Sequence, residues 1–134
     1  MIDLFVGLSA PRIQAMNTAQ QTPPQPQAVR GLVDTGASCT CVDPMVFTQL
    51  GLQPTGTSPM LTPSTGNVPQ DADTYDVGIF IPNAGQTALI IPVLAVCASE
   101  LYQGQGFHAL IGRDILERCI LIYNGTVPYF SISY

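Results

Sequence analysis

Twelve prolines and twelve glycines are spread over a chain of 134 residues, from Gly7 to Pro128, and no other feature limits its folding choices as much. Proline lacks a backbone donor and breaks a helix from within, while glycine favours turns over regular structure. Few stretches escape both for long enough to build a helix of several turns. A chain punctuated in this way folds as many short strands joined by turns, and the expected class is all-β. With 46% hydrophobic residues it can bury a core of its own, so one domain is expected over residues 1–134.

The charge balance removes several classes of partner. Net charge is −5, lysine is absent and arginine is sparse, so no basic face can neutralise a run of phosphates. Nucleic acid is not an expected partner. The apolar run at 88–98 is interrupted by Pro92 and falls far short of the ~20 residues that a membrane-spanning helix requires. The start Met1-Ile2-Asp3-Leu4 lacks the basic-then-apolar layout of a secretion signal, so a soluble and by default cytoplasmic chain is expected. Cys39, Cys41, Cys97 and Cys119 contain no Cys-x-x-Cys pair, and the single histidine, His108, stands in no ligand pattern. No metal or other cofactor is expected, and the cysteines read as buried free thiols, with a distant disulfide neither required nor excluded by the spacing.

Along the chain, residues 2–10 alternate apolar and polar in the period of a half-buried strand. The Gln- and Pro-rich stretch 14–27 has little to bury and reads as a mobile surface loop, after which 29–33 resumes an apolar strand. Asp43 can cap a short helix over Pro44–Leu50, with Pro44 at its first position and Gly51 just past its end. Residues 53–73 are polar and carry four prolines around Ser64-Thr65-Gly66-Asn67, which predicts a projecting loop or turn-tipped hairpin. Strands at 75–81 and 87–97 flank the turn Pro82-Asn83-Ala84-Gly85. Ala109–Ile111 is a short apolar strand, 113–118 a brief helix, and 120–123 and 127–134 flank the hairpin signal Asn124-Gly125.

The chemistry centres on Asp34-Thr35-Gly36. An acid placed directly after the apolar run Gly31-Leu32-Val33 and before Thr-Gly-Ala-Ser sits where a strand ends in a tight turn. Such a carboxylate is rigidly held and partly desolvated, which is how catalytic acids are tuned, although a simple turn aspartate has the same local sequence. About 75 residues further on stands a second element, Ala109-Leu110-Ile111-Gly112-Arg113-Asp114-Ile115-Leu116.

In these two segments the sequence resembles the retropepsin family of aspartic peptidases, where an Asp-Thr-Gly-Ala/Ser turn precedes a flap and then an apolar-apolar-Gly segment. Several retroviral proteases have the form Gly-Arg-Asp-x-Leu, and bacterial relatives look similar through Tyr123-Asn124-Gly125. The strong matches cover 29–42 and 109–125, about a quarter of the chain. The resemblance implies a closed β-barrel-type acid protease monomer with one or two short helices and a flap hairpin. It implies that Asp34 is catalytic, that Thr35 bonds across a dimer axis beneath the carboxylates, and that Gly36 lets the substrate backbone approach. Ala37 and Ser38 would line the cleft, the tip at Thr65, Gly66 and Asn67 would be the flap, and Ile111 and Gly112, with Arg113 beside them, would pack behind the Asp34 turn. Retroviral enzymes usually carry an acid where this chain has Ser38, so Arg113 must find another partner. Asp114 reads as a helix cap or a salt-bridge acid, and His108 as an ordinary turn residue.

Peptide hydrolysis of this kind needs two carboxylates sharing a proton, and the chain has a single Asp-Thr-Gly. The expectation is therefore a homodimer about a two-fold axis, with the first and last strands as interface material and a peptide or protein substrate bound as an added strand. Val33, Val42, Val77, Ile79 and Ile111 are the expected pocket walls. Two other readings stand beside this one: a retropepsin-like module used for binding or dimerisation with little or no peptidase activity, and an unrelated small β-barrel carrying a surface Asp-Thr-Gly.

Overall fold

Alternation at the N-terminus builds strand β1 (Ile2–Leu8), which turns Leu4 and Val6 into the core. In the computed structural model, which describes residues 1–61, 66–85 and 87–134, this strand is hydrogen-bonded on both sides. It pairs antiparallel with β2 (Gln27–Val33) and, through Phe5 to Leu8, with β5 (Gln70–Ile81). Strand β2 continues parallel to β7 (Ala109–Ile111), β7 antiparallel to β3 (Cys41–Val42), and β3 parallel to β6 (Leu89–Ala98). Strand β6 returns antiparallel to β5, so the order β1-β2-β7-β3-β6-β5 closes on itself as a six-stranded barrel. Strand β4 (Gly56–Met60) hangs on the outer part of β5.

The barrel is filled from the inward faces of these strands, with Val6, Val42, Val77, Ile79, Val96 and Ile111 all fully buried. Helix α2 (Pro44–Leu50) covers one end with Val46, Phe47 and Leu50, and Phe47 stacks on Tyr75 at a centroid distance of 3.8 Å. The fold is mostly β with a closed barrel, and its many short strands are those the spread of proline and glycine predicts.

Several expectations change. The described residues contain four short helices, where one or two were expected. Helix α1 (Ala10–Thr18) occupies part of the stretch read as a mobile loop. Ala10, Arg12, Gln14, Ala15 and Met16 are good helix formers, and Pro11 falls in the first turn, where a missing donor costs nothing. None of its residues is buried, so it lacks the apolar stripe that would have marked it as a helix. Helix α3 (Tyr102–Gln105) ends on Gly106 in the left-handed region, at φ 74°. The polar stretch 53–73 is a hairpin, with Met60 paired to Gln70. The last hairpin, β8 (Ile120–Asn124) with β9 (Tyr129–Ser133), forms a separate sheet. Its loop spans 125–128 rather than a two-residue turn, because the Asn124 side chain accepts from Thr126 and Val127 backbone N–H groups at 3.1 and 3.4 Å. Among the described residues no helix is long and apolar enough to cross a membrane.

Helix α2 begins and ends as its sequence predicts, on Asp43 and on Gly51 at φ 65°. The Asp43 carboxylate does more than cap it. It accepts from Met45 N at 3.0 Å and from Leu101 N and Tyr102 N at 2.9 and 2.8 Å, so it also holds the start of α3. Burial by itself would raise its pKa; the three backbone donors and the nearby His108 outweigh that and leave it lowered. A lowered folded pKa gives stability that is present above the ordinary value of 3.8 and is lost as pH falls through the folded value. Asp43→Asn puts an amide donor among backbone donors and should cost about 2–3 kcal/mol at pH 7. Melting curves at pH 7 and pH 3 check it, since the gap from wild type should shrink at the acid end.

Candidate active site

Strand β2 ends at Val33, beside Ile111 of β7, and the next residue, Asp34, is fixed by its backbone N–H donating to Ile111 O at 3.0 Å. The chain then folds back on the aspartate. Gly36 N donates to Asp34 Oδ1 at 2.9 Å and Ala37 N to Asp34 O at 3.3 Å, leaving the carboxylate half-buried and aimed from a rigid turn. Thr35 and Gly36 are exposed.

The second motif clamps this turn from behind. Helix α4 (Arg113–Leu116) starts directly after β7, and Arg113 donates its backbone N–H to Ala37 O at 3.0 Å and its Nη1 to Thr35 O at 3.2 Å. The partner that Arg113 needs is thus a backbone carbonyl of the turn itself. Asp114 does accept a first-turn backbone N–H of α4, from Ile115 N at 2.9 Å, as a capping acid would, but it does more than that. Its carboxylate accepts from Thr40 N at 2.8 Å and from Thr40 Oγ1 at 2.7 Å, and Thr40 Oγ1 in turn accepts from Gly112 N at 3.1 Å. Thr40 has no exposed surface, so this network is shielded from competing water. Ile111, also fully buried, packs in the core beneath. Thr40 is the supporting residue that sequence reasoning missed, since nothing in its surroundings marks a hydroxyl that will meet an acid 74 positions away.

A cleft of about 640 Å³ opens above Asp34. Its floor is Asp34, Gly36, Ala37 and Ser38, and its apolar wall is Cys39, Cys41 and Leu110. The β4–β5 hairpin overhangs it with Pro59, Met60, Leu61 and Pro69, and Arg113 and Ser99 complete the rim. Among the described residues Asp34 is the single acid that lines it. Of the expected flap tip, Gly66 (φ 61°) and Asn67 are exposed at the far end of the hairpin and do not line the cleft, and Thr65 lies outside the described residues. The expected pocket walls are placed elsewhere. Val42, Val77, Ile79 and Ile111 point into the barrel and fill it, and Val33 does not reach the cleft. His108 is structural: its ring stacks on Tyr102 at 4.6 Å, and Nδ1 accepts from Arg30 N at 3.3 Å.

Strand β1 pairs with β2 through Ile2–Val6 and with β5 through Phe5–Leu8, so its second edge is occupied only over its later half. The β8–β9 hairpin is different. Ile120, Ile122, Tyr123 and Tyr129 on it are 58–75% exposed, on a two-stranded sheet that pairs with no other strand among the described residues. Compared with known protein families and with curated proteins, the sequence matches none of them.

Proposed function

We propose that this protein is an aspartic endopeptidase of the retropepsin-like kind, active as a homodimer in which water is activated between two Asp34 carboxylates, one from each subunit. The observation that carries the reading is a half-buried aspartate, held at the end of a barrel strand, as the single acid lining a cleft beneath a hairpin among the described residues. One ionised carboxylate takes a proton from water while its neutral partner polarises the scissile carbonyl, so one such acid per chain calls for a second chain.

Thr35, exposed next to Asp34, bonds its counterpart across the two-fold axis in this reading. The exposed apolar β8–β9 hairpin supplies the association, since an isolated two-stranded sheet is marginal in water and gains by pairing with a second copy. A peptide enters as an extended strand, with Gly36 giving its backbone room. The sulfur and aliphatic lining of Cys39, Cys41, Met60 and Leu110 favours apolar side chains beside the cut. The β4–β5 hairpin closes over it and excludes water.

Digestion of a peptide library at mildly acidic pH tests the reading. Cleavage is expected between apolar residues, blocked by statine peptides and insensitive to chelators, with specific activity falling faster than linearly on dilution. Full specific activity from a demonstrated monomer would sink the two-chain site. An absence of cleavage by a well-folded dimer would leave the module that only binds or dimerises.

A further inference from the structure

Three of the four cysteines gather beside the cleft. Cys39 lies in the loop that leaves Asp34, and its Sγ is 3.6 Å from Cys97 Sγ on β6, across 58 positions of chain. Their carriers are fixed to each other: Cys97 N donates to Thr40 O at 3.0 Å, Cys41 pairs with Cys97 in the β3–β6 register, and Thr40 is itself held by Asp114. We infer that Cys39 and Cys97 are a thiol modification site, oxidised by hydrogen peroxide to a reversible intramolecular disulfide that ties the Asp34 loop to β6.

The two thiols differ in a way that divides the chemistry between them. Cys39 is half-buried and lines the cleft, so a small oxidant entering there reaches it first, whereas Cys97 is buried behind it. Burial, together with the neighbouring Cys39 thiol and Asp114, pushes the Cys97 thiol up to about 12, so it holds its proton and is the second partner to react. In the first step Cys39 Sγ attacks one oxygen of the peroxide, the O–O bond breaks, and the thiol proton leaves with the other oxygen as water, giving a sulfenic acid. In the second, Cys97 Sγ attacks the Cys39 sulfur, and its proton leaves with the sulfenic hydroxyl as a second water. Two thiols lose two electrons and two protons, and one peroxide is reduced to two waters.

A disulfide is about 2 Å long, so the sulfurs close the gap by side-chain rotation while the backbone network stays in place. Cys41 is also buried, and its thiol is likewise pushed up to about 12 by burial and by Cys39 and Cys97, so geometry separates the two: Cys41 Sγ faces the Cys39 carbonyl at 4.0 Å, whereas Cys97 Sγ stands 3.6 Å from Cys39 Sγ. Cys119 is occupied elsewhere, donating to Ile115 O at 3.6 Å. Among the described residues no group of three or more Cys, His, Asp or Glu is arranged to hold a metal ion.

The test uses the full chain, reduced, desalted and treated with hydrogen peroxide, and it reads sulfur chemistry alone, so it stands apart from the peptidase reading. Intact mass should fall by two hydrogens, non-reducing peptide maps should join Cys39 to Cys97, and a dithiol should reverse both. Closing so long a loop should raise the melting temperature by about 5 °C or more. Cys39→Ser and Cys97→Ser should each abolish the mass change, and Cys41→Ser should keep it. A crosslink mapped to Cys41 or Cys119, a crosslink between chains, sulfinic acid as the only product, or no reaction at all would each overturn the inference. The wild-type map decides this even where a variant fails to fold.

Discussion

The Asp34→Asn protein is expected to fold, to melt within a few degrees of wild type at neutral pH, and to hydrolyse peptides at least roughly 10³-fold more slowly. Asparagine nearly matches aspartate in shape, and its Oδ1 can keep the bond that Asp34 Oδ1 accepts from Gly36 N at 2.9 Å. The backbone bond from Asp34 N to Ile111 O is untouched by the change. What disappears is the charge and the capacity to trade a proton with water. In a homodimer both copies change together, so no carboxylate remains at the axis. Where two carboxylates face each other at an interface, the neutral amide also removes a repulsion, so the variant should associate at least as tightly as wild type near neutral pH. Cleavage assays, sedimentation and matched melting curves from pH 4 to 8 decide it. A variant clearly less stable than wild type at the neutral end would make Asp34 a structural acid with a partner, and the catalytic assignment would be withdrawn.

The Gly112→Ala protein is expected to lose about 3 kcal/mol or more, seen as a fall of roughly 10 °C in melting temperature, whatever the protein's activity. A Cβ added at Gly112 would stand 2.5 Å from both the carbonyl carbon and oxygen of Cys39, and 2.9 Å from Thr40 N. These are backbone atoms, and they cannot rotate aside as the end of a side chain can. Relief requires moving the Cys39–Thr40 segment, which breaks the Thr40 to Asp114 bonds at 2.7 and 2.8 Å and loosens the turn that holds Asp34. Gly31 offers the contrast. A Cβ there meets Ile111 and Leu4 side-chain carbons at 2.9 Å, atoms that can shift, so the same substitution should be milder. Chemical or thermal unfolding of the two variants side by side measures the difference. Equal, small losses would mean that the second motif does not brace the first.

Where local physics decides the structure, the sequence was readable. Helix α2 lies where Asp43, Pro44 and Gly51 place it, and β7 covers the apolar triplet before Gly112. The half-buried Asp34 turn follows from an apolar strand running into Thr-Gly. Elsewhere the deciding contact is remote. Asp114 reads as a cap from its neighbours alone, and only the fold brings Thr40 to its carboxylate. Val42, Val77 and Ile79 are apolar in the pattern of cleft walls and of barrel filling alike, and closure of the sheet selects the second. Helix α1 escaped notice because a surface helix with no buried residue leaves no periodic trace in an apolar pattern.

The closed ring also governs how the chain can come to be folded at all. Its seams join distant residues, Phe5 to Phe80 and Gly31 to Ala109. Non-local pairings of this kind place a domain among the slow folders, with times of roughly milliseconds to seconds. During synthesis at about 5–20 residues per second, β1 and β2 emerge seconds before the strands that complete their edges. The barrel cannot close before β7 is made, because β2 pairs with it through Gly31 and Ala109. The interval during which the nascent chain carries unsealed strands is therefore the time in which it is open to edge-to-edge association.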